Sequence, residues 1–238
     1  MAAGRGFRHV ACWLMGLAVS FCFLLPLPAG RAYDHEVDLA LVLAIDCSFS
    51  VDSREYDVQM RGLGEAFMNE AVKRAIAQGL RRRIAVAVVQ WSDDRNQKIV
   101  VPWTVVSGDA GADELGEVFI NTRRQLTGGG TSLSTALVFS ASLFAAAPTA
   151  GRLVIDVSTD GRNNSGPPVA PVRDHVVAQG VTINGLTILN EWPTLDTYFE
   201  NNAAGGPGHF VIPANDYDAY AEAILRKLVR EITGPGIT

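Results

Sequence analysis

Five oxygen-bearing residues of this chain have the types and spacing to hold a hard cation. Asp46, Ser48 and Ser50 stand at alternate positions where the apolar run that starts at Val37 breaks off. Thr131 follows the glycines Gly128-Gly129-Gly130, and Asp160-Gly161 ends a second apolar run, Arg152 to Ser158. Carboxylate and hydroxyl oxygens, with no thiolate or imidazole among them, suit Mg²⁺ before any transition metal. Magnesium demands octahedral oxygen geometry and keeps waters readily. Two carboxylates with neutral hydroxyls therefore leave a coordination position that a carboxylate from a partner can fill. Taken singly, Asp46 and Ser48 read as helix caps and Asp160-Gly161 as a turn. All five in order favour the cation.

The elements that must position these residues follow from hydrophobic patterning. The run from Val37 is too short for a membrane span and does not alternate strictly, which marks a strand buried on both faces. Further strands are expected at Arg83–Trp91, Gln97–Val105, Arg152–Ser158, Val181–Ile188 and His209–Ile212. The Gln97 strand carries Pro102, which belongs at a sheet edge, and the short Ser92–Asn96 connection makes it antiparallel to its predecessor. Helices are expected at Ser53–Arg74, with Tyr56, Met60, Leu63, Phe67 and Ala71 on one face, and at Asp113–Leu126, Ser132–Ala146, Pro167–Gln179, Pro193–Asn201 and Tyr217–Ile232. Strands alternating with helices give an α/β fold, a Rossmann-like three-layer sandwich. Its six-stranded sheet is mostly parallel, with one antiparallel edge strand. Ligands of such sheets sit beyond the carboxyl ends of the strands, where Asp46 and Asp160 fall.

Asp46-x-Ser48-x-Ser50, then Thr131, then Asp160-Gly161, resembles the metal-ion-dependent adhesion site of von Willebrand factor type A (vWA) domains. The resemblance runs from about Val37 to Ile232 and is closest to a secreted bacterial subgroup of uncharacterised function. It implies a vWA-like fold and a Mg²⁺ or Mn²⁺ ion. Ser48 and Ser50 would be direct ligands, Thr131 a direct or water-mediated one, and Asp46 and Asp160 the charge. It also implies a protein or peptide partner presenting Asp or Glu, and no catalysis. Phe49 stands between the two serines, where many relatives have a small residue, and is expected at the rim. Arg162-Asn163-Asn164 reads as a solvated loop in a position to orient ligands.

Residues 1–32 read as an export signal: Arg5 and Arg8, the apolar stretch Val10–Leu27, then the small-residue end Pro28–Ala32. Pro26 and Pro28 break the stretch, which favours cleavage after Ala32 over retention as an anchor; a membrane contact is expected only if the segment stays. Residues 33–238 then form one vWA-like domain, periplasmic or secreted. Removing Arg5, Arg8 and Arg31 leaves 17 basic against 25 acidic residues, a net charge of −8, which argues against nucleic acid as a partner. Basic residues cluster only at Arg81-Arg82-Arg83, expected as a solvated helix end. Cys47 is the one cysteine outside the signal and reads as a small buried hydrophobe. His35, His175 and His209 lack ligand spacing, so no zinc is expected.

The main rival is a Mg²⁺-dependent phosphatase of the haloacid dehalogenase type. Such an enzyme needs an aspartate two residues after the first, where this chain has Ser48. It also needs a lysine at a strand end, and Lys73, Lys98 and Lys227 are not so placed. The nucleophile elbow of serine hydrolases and the dinucleotide-binding glycine motif are both missing from the sequence.

Overall fold

The computed structural model describes Met1 and residues 36–234 of the 238-residue chain. The chain separates into two units, Met1–Arg31 and Ala32–Thr238, and the following concerns the second. The expected export signal lies outside the described residues.

Strand β1, Leu39–Asp46, is buried at all eight positions, as its seven consecutive apolar residues require, and it carries Asp46 at its buried end. It pairs in parallel with β2 (Arg83–Trp91) on one side and with β4 (Leu153–Thr159) on the other. Strand β3 (Gln97–Ser107) is antiparallel to β2 at one edge, while β5 (Val181–Ile188) and β6 (Val211–Ala214) continue in parallel to the other. The order is β3-β2-β1-β4-β5-β6. Pro102 falls where the β2–β3 register shifts, so its missing N–H costs no ladder bond.

Alternation along β1 divides the core. Leu39, Leu41, Leu43 and Ile45 face helices α1 (Ser53–Met68), α2 (Glu70–Gln78), α3 (Gly108–Ile120) and α7 (Tyr220–Thr233). Ala40, Val42 and Ala44 face α4 (Leu133–Ser142), α5 (Val169–Val177) and α6 (Leu195–Asn202). Each large aliphatic side chain so buried contributes about 1.5–3 kcal/mol. Helices α1 and α3 approach closely at paired glycines: a Cβ on Gly64 would lie 2.6 Å from the Gly116 carbonyl oxygen. Phe67 and Phe119 lock this crossing edge to face, with centroids 5.2 Å apart.

Four expectations need correction. The helix expected over Ser53–Arg74 is two helices, because Asn69 leaves helical geometry (φ −73°, ψ 137°) and its side chain caps α2 by accepting from Ala71 N at 2.9 Å. The helix expected at Asp113–Leu126 runs five residues earlier at its start and ends at Ile120. Residues 121–126 are held instead by side chains: Gln90 Nε2 donates to Arg123 O (2.9 Å), and Gln90 Oε1 accepts from Gln125 N (2.7 Å). The end of the Ser132–Ala146 helix tightens into a 3-10 turn over Leu143–Ala146. Finally, Arg81 is no part of a solvated helix end. α2 stops at Gln78, and Arg81 pairs with Glu36 at 2.7 Å while its N–H donates to Asp38.

Candidate metal centre

The crossover from β3 back to β4 passes over β1, so the chain reverses its direction of sheet growth between β1 and β4. That is where an open parallel sheet forms its ligand crevice. Asp46 ends β1 there, and Asp160 follows β4 directly. Helix α1 takes its cap from Asp52, which forms a capping box with Glu55. Asp46 and Ser48 therefore do not serve as its caps.

The side chains converge in a hydrogen-bonded set. Ser48 N donates to Asp46 Oδ1 at 2.7 Å, folding the loop back over the strand end. Ser48 Oγ and Ser50 Oγ lie 3.2 Å apart, and Ser50 Oγ donates to Asp160 Oδ1 at 2.7 Å. Thr131 Oγ1 stands 3.0 Å from where a Cβ on Gly161 would lie, which explains a glycine at 161 and brings Thr131 beside Asp160. Asn164 Oδ1 accepts from Thr131 N at 2.8 Å, so the Arg162–Asn164 loop, expected to be solvated, in part pins Thr131. Phe49 N donates to Gly129 O, joining the serine loop to the glycine loop, and the Phe49 ring is 82% exposed at the rim.

Three supporting residues were not evident from the motif. The parallel register sets Ile45 opposite Ser158, so Thr159 stands level with Asp46 and donates to its Oδ2 at 2.6 Å. Tyr217, just before α7, donates to Asp160 Oδ2 at 3.1 Å. Arg124 donates to the carbonyls of Cys47 (2.8 Å), Ser48 (3.2 Å), Val51 (2.5 Å) and Leu126 (2.8 Å), clamping the serine loop. The strand register carries a signal for Thr159. Nothing local marks Tyr217, 57 residues from its partner.

The electrostatics ask for a cation. Both aspartates are buried, and among the described residues no Lys, Arg or His forms an ion pair with either. Burial and then the Asp160 charge push Asp46 up to about 7, and burial raises Asp160 as well. Among the described residues no three His, Cys, Asp or Glu side chains converge as a metal cluster. Two carboxylates with hydroxyls are nonetheless a donor set that fits Mg²⁺ or Mn²⁺. Cys47 is fully buried in the α1-side core, where it packs as a small hydrophobe, and burial and then the neighbouring Asp46 push its thiol up to about 12.

The fold is that of a von Willebrand factor type A domain. Solved structures that share it include proximal thread matrix protein 1 from the mussel byssus (TM-score 0.60, 18% identity, covering 83% of this chain and 48% of that one). The vWA protein from Catenulispora acidiphila is similar at TM-score 0.54 and 17% identity, covering 83% and 43%. The pilus adhesin SpaC from Lactobacillus rhamnosus GG, in its open conformation, matches at TM-score 0.58 and 15% identity, covering 83% and 30%. The chain thus spans half or less of these proteins, and at such identities the likeness concerns the fold. One structure of the mussel protein has a zinc-occupied MIDAS motif. No curated protein matches in sequence. Residues 36–236 match the family model described as protein of unknown function DUF1194, and the chain belongs to that family.

Proposed function

We propose that this chain is an exported, divalent-cation-dependent binding module whose partner is a protein or peptide presenting Asp or Glu. The observation that carries the reading is the convergence of Ser48, Ser50, Asp160 and Thr131 on the buried Asp46, with no Lys, Arg or His paired to either carboxylate among the described residues. Asp46, Ser48, Ser50, Thr131 and Asp160 would hold Mg²⁺ or Mn²⁺. Bound there, the ion supplies a Lewis-acidic coordination position for a partner's carboxylate oxygen. The chain's own residues do the rest. Thr159 and Tyr217 orient the two carboxylates, Arg124 fixes the serine loop, and Phe49 offers apolar contact at the rim. We assign residues 1–32 to an export signal removed after Ala32, and residues 33–238 to the module, working in the periplasm or outside the cell. Among the described residues no helix is long and apolar enough to cross a membrane.

The inventory favours binding over catalysis. A phosphatase needs a lysine at the phosphoryl group. Lys227, the buried lysine, is instead held by Asp156 and Glu231. Asp156 lies four residues before Asp160, roughly 13 Å along an extended chain. The test is capture from a cell-envelope extract by immobilised residues 33–238, with Mg²⁺ or with chelator. Chelation, Asp46→Ala and Thr131→Ala should each abolish capture while circular dichroism stays unchanged. Capture that survives all three assigns binding to another surface. Phosphate-ester hydrolysis that Asp46→Asn stops would establish the phosphatase.

A further inference from the structure

We infer that the module reads a pair of acids in its partner, the first at the cation and the second at Arg162. The inference rests on the binding-module reading and adds a specificity residue to it. Arg162 follows Gly161, where an added Cβ would meet Thr131 Oγ1 at 3.0 Å, so its backbone borders the candidate centre. From Asp160 to Arg162 the Cα separation is at most about 7 Å, a distance an extended partner covers in two residues.

The side chain is already in place. Its guanidinium lies 5.0 Å from the Trp192 ring centroid and 5.3 Å from that of Tyr198, and Nη2 donates to Thr194 Oγ1 at 2.6 Å. Its Nε is buried without a hydrogen-bond partner, and among the described residues no carboxylate ion-pairs with the guanidinium, whose other nitrogens are left to meet a partner. An arginine held against aromatic rings is the pattern of an interface hot spot, because a fixed, partly desolvated cation loses little freedom on binding. Trp192 is 45% exposed, so the stack is open to a partner.

Acids nearby oppose a second acid, and their strength decides the matter. Asp52 and Glu55 are taken up with each other's backbone N–H groups in the α1 capping box. Glu191 is exposed and acts on Asp160, but an exposed charge is screened within about 10 Å at ordinary salt. The Arg162 guanidinium, half-buried beside two rings, is screened less than an exposed charge and so attracts a second acid more strongly than Glu191 repels it.

The test is selection of a random linear heptapeptide library, displayed on phage, on immobilised residues 33–238. In Mg²⁺ the enriched peptides should carry two Asp or Glu about one to three residues apart. On Arg162→Ala the pair should give way to single acids, and Arg162→Lys should keep a weakened pair preference. A synthetic peptide from the wild-type pool should bind Arg162→Ala about tenfold less well. Single acids enriched equally on wild type and Arg162→Ala overturn the role of Arg162 and leave the module intact. Enrichment indifferent to EDTA, or with no acids, overturns the binding-module reading beneath it.

Discussion

At the scale of single residues, the motif depends on partners it does not contain. Thr159 is the clearest, since it hydrogen-bonds a fully buried carboxylate oxygen. Thr159→Val keeps the shape and removes the donor. It should weaken Mg²⁺ affinity about 10- to 100-fold, the usual effect of losing an outer partner of a metal ligand. Isothermal titration calorimetry reads this directly, and an unchanged Kd would show that Thr159 only packs. The positions of the five candidate donors were legible because each sits at or just beyond a strand end or after glycines, where local pattern reveals position. Thr159 and Tyr217 were not, since their roles arise from strand register and from the return of α7 to the sheet, both long-range facts. Asn163 and Asn164 look like any polar loop until Asn164 is seen accepting from Thr131 N.

At the scale of elements, α7 is tied to one face of β4 by a polar ladder. Arg152 donates to the carbonyls of Glu231 (2.7 Å) and Ile232 (2.8 Å), Lys227 bridges Asp156 and Glu231, Tyr220 meets Ser158, and Tyr217 meets Asp160. Lys227 is completely buried, so Lys227→Met strands two buried carboxyls and should cost about 3–5 kcal/mol, read from the urea midpoint. Burial and then Asp156 push Glu231 from 4.5 up to about 8, while Lys227 lowers it; Arg152, just before β4, stands nearby. A raised carboxyl means the folded chain holds a proton that the unfolded chain releases. Its stabilisation is full below about pH 4.5 and is lost as pH rises through about 8. In Mg²⁺-saturated protein, stability should fall across that window by up to about 1.4 kcal/mol per pH unit, and Glu231→Gln should flatten the fall. An equally steep fall in the variant would place the proton elsewhere. The strands were legible to within a few residues because continuous apolar runs can only be buried. The break at Asn69 was missed because the apolar period carries on from α1 into α2, and only the asparagine's cap marks the junction.

At the scale of the whole molecule, the α/β alternation and the antiparallel edge strand were readable from pattern, and Pro102 alone marked the edge. The N-terminal segment carries its own prediction: sequencing of the exported protein should begin near Tyr33, whereas full-length chain in the membrane fraction would make residues 1–32 an anchor. The central question is whether the end of the sheet between β1 and β4 holds a cation. The direct measurement is thermal melting of residues 33–238 with and without Mg²⁺, for wild type and Asp46→Ala. At a hundredfold excess over Kd the ion stabilises the native state by about 2.7 kcal/mol, or about 5–11 °C for a domain of this size. Wild type should gain that rise and Asp46→Ala should gain none. The same rise in both proteins, or in neither, would contradict the assignment of Asp46, Ser48, Ser50, Thr131 and Asp160 as the metal centre.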